Sequence, residues 1–260
     1  MKPYIIALIT DFGTEDGYVG AMHGRILSEF PEAQVVHITH QIRPFDVRQA
    51  AFCLNNCYPY FPDKTVFVVV VDPGVGTERK GLVVKTSRHY FVGPDNGVFS
   101  FVYHREGYRA YEILPEKLPG EISPTFHGRD IFARLAAWLA AGKNVGQYLA
   151  PISEGYSFLK PYQVVGDREL LLEVLHVDHF GNLILNFHQT DWLNFDSPDD
   201  LSVDIGDHRI RGLHHTFGAV PEGQPVLNWD SSGYLQIAIN GGNAARELNC
   251  TVGDQLRLRL

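Results

Sequence analysis

The stretch TVFVVVVDPGVGTERKG, Thr65 to Gly81, decides the reading of this chain. Val66 to Val71 form a continuous apolar, mostly β-branched run, which reads as a fully buried central strand of an α/β sheet. Asp72 follows at the strand's carboxyl end, where open α/β sheets bind their ligands. Pro73 cannot extend a strand ladder, and Gly74 and Gly76 permit a tight turn that returns Arg79 toward Asp72. An aspartate and an arginine are thereby expected together at the lip of a cleft.

Two phosphate-binding motifs nearly fit this stretch and are rejected. Gly76 and Gly81 have P-loop spacing, but Leu82-Val83 stand where the loop needs Lys and Ser or Thr. Gly74-x-Gly76 resembles the start of a dinucleotide fingerprint, yet the following LVVKT has strand character where that fingerprint opens a helix.

Working outward, Tyr4 to Thr10 reads as a first strand that ends in Asp11, and a helix from about Asp16 to Phe30 follows with Val19, Met22, Ile26, Leu27 and Phe30 on one stripe. Gln34 to Thr39 is a second strand, and Asp46 with Gln49 forms a capping box for another helix. LVVKT and HYFVG read as a hairpin. His127-Gly128-Arg129-Asp130 opens a helix whose buried face is Ile131, Leu135, Trp138 and Leu139; a histidine there can serve as acid or base near neutral pH. Alternating strands and helices predict an α/β domain over residues 1–150, with a mainly parallel sheet covered by helices. Proline and glycine punctuation marks a linker over 151–168. The short strands and turns of 169–260 predict a smaller all-β, barrel-like carboxy-terminal domain.

The charge of −8, from 22 basic and 30 acidic residues, disfavours nucleic acid and anionic membrane as partners. A small substrate, neutral or cationic in character, fits better. The amino terminus, MKPYIIALITDFG, reads as a strand and not a signal peptide, and no apolar run approaches the ~20 residues of a membrane span. The three cysteines, Cys53, Cys57 and Cys250, form no zinc pattern and point to a cytoplasmic location. No spacing among the histidines and acids signals a metal, so no metal and no cofactor are expected.

Five segments, ITDFGTEDGYVGAMHG, VVDPGVGTERKGLVV, TFHGRD, VDHFGN and SSGYLQIAINGGNAA, resemble the S-adenosyl-L-methionine hydroxide adenosyltransferases, or SAM hydrolases, which are related to the fluorinase and chlorinase enzymes. The resemblance runs from about Ile9 to Ala245. It implies attack of water on the ribose C5′ of S-adenosyl-L-methionine, giving adenosine and L-methionine, in a homotrimer with active sites between subunits. It places the catalytic set on Asp72, Arg79 and His127, a ribose contact on Asp11, a further substrate contact on Asp16, an aromatic wall on Phe45, and Phe126 at the reaction centre. In the second domain it places methionine-end contacts on Asp178 and Ser231 and an adenine contact on Asn182. Halogenases of this group carry tyrosine in place of Asp72 and serine in place of Gly128, so a halogenase is the weaker reading. A non-catalytic adenosine or S-adenosylmethionine binder is the alternative from another class, and its signature would be a broken Asp-Arg-His set. Here the set is intact.

Overall fold

A computed structural model describes residues 4–195 and 201–260, in two compact units that meet in sequence at Phe158 and Leu159. The first unit is built on a seven-stranded sheet. Its strands are β1 (Ile5–Thr10), β2 (Gln34–Thr39), β3 (Val66–Val70), β4 (Gly81–Lys85), β5 (Tyr90–Pro94), β6 (Arg109–Ile113) and β7 (Leu149–Ile152), in the order β2-β1-β3-β5-β4-β6-β7. Its helices are α1 (Tyr18–Glu29), α2 (Val47–Cys57), α3 (Ser100–Arg105) and α4 (Arg134–Ala140), the last preceded without a break by a wide π-type turn, Gly128–Ala133.

Side chains alternate across a strand, so one strand feeds two cores. Ile6 and Leu8 of β1 and Val66, Val68 and Val70 of β3 share a core with Met22 and Ile26 of α1 and with Ile131 and Leu135. Ala7, Ile9, Phe67 and Val69 face the other way, toward Ala50 and Leu54 of α2 and Val102 of α3. Burial on both faces is what the unbroken apolar runs demanded. Along α1 the expected stripe narrows: Met22 and Ile26 are buried, while Leu27 is exposed. The Asp46 side chain caps α2 by accepting from Gln49 N–H at 2.9 Å. The return half of the box differs, because Gln49 Oε1 accepts from Arg43 N–H rather than from the cap residue.

The sheet is mixed rather than mainly parallel. β2, β1, β3 and β5 run parallel, but β4, β6 and β7 are added antiparallel. The cause lies in the hairpin itself: Lys85 pairs with Tyr90, and so short a link cannot make the crossover that parallel neighbours require. β4 then sits between β5 and β6, antiparallel to both, and β7 pairs antiparallel with β6. Close approach inside the sheet also fixes a residue. A Cβ on Gly93 would lie 2.4 Å from the Val69 carbonyl oxygen.

The second unit comprises β8 (Gln163–Gly166), β9 (Glu169–Val177), β10 (Leu183–His188), β11 (Ser202–Ile205), β12 (His208–Arg211), β13 (Pro225–Trp229), β14 (Tyr234–Ile239) and β15 (Gln255–Arg259), with the one-turn helix α5 (Ala244–Glu247). The order is β12-β11-β15-β9-β10-β14-β13, with β8 on the side of β9, and every ladder is antiparallel. A single bridge between Leu213, just beyond β12, and Leu227 of β13 nearly closes the sheet into a barrel. Alternate residues such as Leu170, Leu172, Val174, Leu185, Phe187, Leu235 and Ile237 fill its interior.

A polar chain crosses the edge of the first unit. The buried Thr10 hydroxyl meets His40 Nδ1 at 2.8 Å, His40 Nε2 meets His37 Nδ1 at 2.7 Å, and His37 Nε2 meets His23 Nδ1 at 3.1 Å. Each inner nitrogen must either donate or accept, so the chain is at ease with neutral rings. Burial, reinforced by His37, lowers the His40 pKa to about 4, and burial with His23 lowers that of His37. Both groups bind protons more readily unfolded than folded, so stability rises with pH across this range. Their contribution is full above the ordinary histidine value near 6.5 and falls away below it, that of His40 being lost as pH falls toward about 4. The urea midpoint of the wild type is therefore expected to drop between pH 7 and pH 4.5. His40→Gln should lower the midpoint at pH 7 yet flatten that pH dependence; an unchanged slope would show that the chain does not carry it.

Candidate active site

At the carboxyl ends of β1 and β3 lies a cavity of about 260 Å³, lined by Asp11, Phe12, Pro44, Phe45, Val70, Asp72, Val75, Thr125, Phe126, His127 and Gly128. Three loops meet there. The first leaves β3 at Asp72 and is folded by local bonds: Val75 N–H donates to Asp72 O, Thr77 N–H to Gly74 O, and Arg79 N–H to the Thr77 hydroxyl. Gly76 has φ +76°, and a Cβ there would stand 2.5 Å from the Pro124 carbonyl oxygen. Glycine is thus needed twice over, for the backbone angle and for the contact that sets this loop against the one carrying His127.

The folded loop brings Asp72 and Arg79 into a two-point ion pair. Arg79 Nε donates to Asp72 Oδ1 at 3.0 Å, Arg79 Nη2 donates to Asp72 Oδ2, and Arg79 Nη2 also lies 3.2 Å from His127 Nδ1. The Asp72 and Arg79 side chains are only 6% and 10% exposed, so little water screens them. The guanidinium also rests over the Phe132 ring, 5.5 Å from its centroid. Burial pushes the Asp72 carboxyl above its ordinary pKa despite the opposing pull of Arg79. Burial, then the Arg79 charge, pushes His127 below the usual histidine value, although Asp72 and Asp130 pull the other way. His127 is accordingly neutral at physiological pH. A guanidinium has no acceptor, so the Arg79 contact makes His127 Nδ1 the acceptor and leaves the ring's proton on Nε2.

The second loop carries Phe45. Its φ is +67°, a conformation unusual for a bulky side chain, and it is held by its N–H donating to Asp11 Oδ2 at 2.9 Å. The neighbouring Asp46 caps α2 and pairs with Arg43 at 2.8 Å. Strain kept in place by a carboxylate and a helix cap marks this as a loop whose shape matters. Phe45 is 69% exposed and forms an open edge of the cavity. In the third loop, Phe126 packs edge-on against Phe12 and Tyr18, with centroids 5.8 and 5.4 Å away.

Of the residues singled out from the sequence, Asp11, Phe45, Asp72, Phe126 and His127 line this one cavity, and Arg79 bonds two of them. Asp16 does not join them: the helix begins at Tyr18, and Asp16 is exposed in the preceding bend. Phe12, Pro44, Val75 and Thr125 were not singled out, although each adjoins or lies close to a residue that was.

In the second unit, Asp178 organises the β9–β10 turn. Its Oδ1 accepts from Phe180 N–H and Asn182 N–H, both at 2.9 Å, and its Oδ2 accepts from Asn182 Nδ2 at 2.8 Å. Ser231 is exposed on the β13–β14 turn, where Asp230 Oδ1 accepts from Ser232 N–H and Tyr234 N–H. Register separates the two turns. Leu183 pairs with Ile237 and His188 with Tyr234, so the Asp178 turn and the Ser231 turn lie at opposite ends of the β10–β14 pair.

Among the described residues, no three or more His, Cys, Asp or Glu side chains are grouped so as to hold a metal ion, and no helix is long and apolar enough to cross a membrane.

Comparison with known proteins agrees with this layout. Residues 6–148 match the SAM hydroxide adenosyltransferase N-terminal domain, and residues 172–257 match the corresponding C-terminal domain. An (R)-S-adenosyl-L-methionine hydrolase of Salinispora arenicola is 39% identical over 258 residues, covering 97% of each chain. A fluorinase of Nocardia brasiliensis is more distant, 29% identical with 98% of this chain and 97% of its own covered. A crystal structure of a conserved protein from Thermotoga maritima superimposes with a TM-score of 0.85 at 37% identity, covering 98% of this chain and all of that one. With both of its domains matched in order, the chain belongs to the SAM hydroxide adenosyltransferase family.

Proposed function

We propose that this protein is an enzyme that hydrolyses S-adenosyl-L-methionine to adenosine and L-methionine. The observation that carries this reading is the bonded set Asp72–Arg79–His127 on the wall of a cavity in a chain whose relatives include a named hydrolase of this substrate. Water attacks the ribose C5′ as the C5′–S bond breaks, and the bonding pair leaves with sulfur as a neutral thioether. No acid is needed for that departure. One proton must be taken from the water.

The geometry favours Asp72 as its acceptor. His127 Nδ1 is occupied by Arg79 and Nε2 carries hydrogen, so the ring holds the water by donating to it. With two bonds from Arg79 and one from the Gly74 backbone, the Asp72 carboxylate retains one acceptor site and, through burial, more basicity than an ordinary carboxylate. Arg79 fixes both partners. Asp11 and Phe45 are assigned to the ribose and its aromatic wall, and Phe126 to the reaction centre. The exposed Asp16 is assigned an outer substrate contact.

At about 260 Å³ the cavity falls below the ~300–1,000 Å³ of pockets that enclose a drug-sized ligand. It suits a part of the substrate. The remainder is assigned to Asp178, Asn182 and Ser231 of a neighbouring copy in a homotrimer, with a small molecule as the partner and no cofactor. The free thiols of Cys53, Cys57 and Cys250 accord with a cytoplasmic setting.

Incubation with S-adenosyl-L-methionine in oxygen-18 water, with chelator present and no added halide, is expected to yield adenosine labelled at its 5′ oxygen. Intact substrate recovered bound to the protein would instead identify a binding protein. Asp72→Asn should cut kcat by ~10²–10⁴-fold, the usual worth of a positioned base, while changing substrate affinity far less. His127→Gln keeps an acceptor for Arg79 and a donor for water, so it should retain clearly more activity than Asp72→Asn; equal losses would move the proton to His127. With Asp72 ionised as the working form, kcat should fall as pH drops through its raised pKa, above the range of an ordinary aspartate. Sedimentation should report three copies per particle; a monomer with full activity would remove the shared-site assignment.

A further inference from the structure

The motif TFHGRD contains two residues that the reaction as drawn leaves without a task, Arg129 and Asp130. They are joined to each other. Arg129 Nε donates to Asp130 Oδ1 at 2.7 Å and Arg129 Nη2 to Asp130 Oδ2 at 2.8 Å, a two-point pair between adjacent residues within the π-type turn. Asp130 is 2% exposed, and its Oδ2 also accepts from Ser123 N–H at 2.9 Å, which ties down the start of the loop that delivers Phe126 and His127. Arg25 adds a more distant charge at 3.7 Å. The Arg129 guanidinium lies over the Phe126 ring, 4.9 Å from its centroid, and Phe126 lines the cavity.

A guanidinium on this ring poses a problem for a cationic ligand. It gains from the ring's negative face, and an unbalanced positive charge there would repel a sulfonium brought to the same wall. We infer that Asp130 is a specificity-determining residue: its two-point bond to Arg129 neutralises the cation stacked on Phe126, letting the ring be clamped in place without repelling a positively charged substrate. Arg129 is then a positioning residue that acts through Phe126. Burial alone would raise the Asp130 pKa, but the bonds from Arg129 and Ser123 and the charges of Arg129 and Arg25 outweigh it and hold the carboxyl below its ordinary range. The balancing charge is therefore present throughout the neutral range.

The inference rests on the proposed substrate, and the test separates the two. The readout is the affinity for S-adenosyl-L-methionine divided by that for S-adenosyl-L-homocysteine, its uncharged thioether counterpart, measured by calorimetry in the Asp72→Asn background so that turnover does not interfere. Adding Asp130→Asn should lower this ratio on the order of tenfold, with the loss shrinking at high salt because Arg129 is partly exposed. Adding Arg129→Met and Asp130→Asn together removes both charges and should restore the ratio. Arg129→Met alone leaves the Asp130 carboxylate uncompensated beside the cationic ligand and should raise the ratio, so it decides the question if Asp130→Asn fails to fold; an unchanged ratio would count against the inference. Equal weakening of both ligands in every variant would mean that the pair only supports the loop, which overturns the inference alone. An Asp72→Asn protein with no affinity for S-adenosyl-L-methionine, together with a wild type that yields no product, overturns the functional reading and this inference with it.

Discussion

The ion pair between Asp72 and Arg79 is the constraint around which the first unit is arranged. Two nearly buried charges lose most of their hydration, and such a pair tolerates burial only when its geometry is good. The fold supplies that geometry from a short piece of chain. β3 delivers Asp72, the glycine turn reverses direction, and Arg79 returns with its planar fork set against both carboxylate oxygens. The contact of Gly76 with Pro124 then fixes where the loop bearing His127 sits. A larger residue at position 76 would push apart the two loops whose meeting places Arg79 beside His127.

Burial outweighs the arginine in setting the Asp72 pKa, which accords with the role proposed for it as proton acceptor. A carboxylate used only as a brace would be most stable with its charge fully compensated, well below the ordinary range. Asp72 is instead more basic than usual while still bonded twice. His127 is shifted the opposite way by the same desolvation and by the same arginine. The opposite shifts suit the different roles proposed for the two groups, Asp72 to receive a proton and His127, held neutral, to donate a hydrogen bond.

Much of this was legible in the sequence because the signals were local. An unbroken apolar run bounded by Asp-Pro-Gly can be little else than a buried strand and its turn, and Asp11 is read the same way at the end of β1. Strand direction was harder to read. Periodicity reports burial and is silent on direction, so the added antiparallel strands β6 and β7, short and only partly buried, carried no signal. The short hairpin link did carry one, since it forces β4 and β5 to oppose each other. The positive φ of Phe45 was not legible at all, because nothing in a phenylalanine favours it; a carboxylate 34 residues away holds it there. The chain from Thr10 through three histidines was invisible for the same reason, since its Thr10–His40 and His37–His23 contacts join residues far apart in sequence. In the second unit, Asp178 and Ser231 were both recognisable as turn residues, but only register could show that their turns lie at opposite ends of β10 and β14.

The position of Asp72 also separates the two chemistries known among the relatives. A halide ion is already a nucleophile and carries no proton to lose, so a carboxylate beside its path brings repulsion and no benefit. Water is a poor nucleophile until a proton leaves it, and in the proposed reaction a carboxylate made more basic by burial would meet that need. The same burial that would penalise a halide enzyme thus favours a hydrolase. A sulfonium substrate bound as proposed sharpens the distinction further, because its positive charge would be drawn toward Asp72 while Arg79, tied to the carboxylate at two points, presents little free charge of its own.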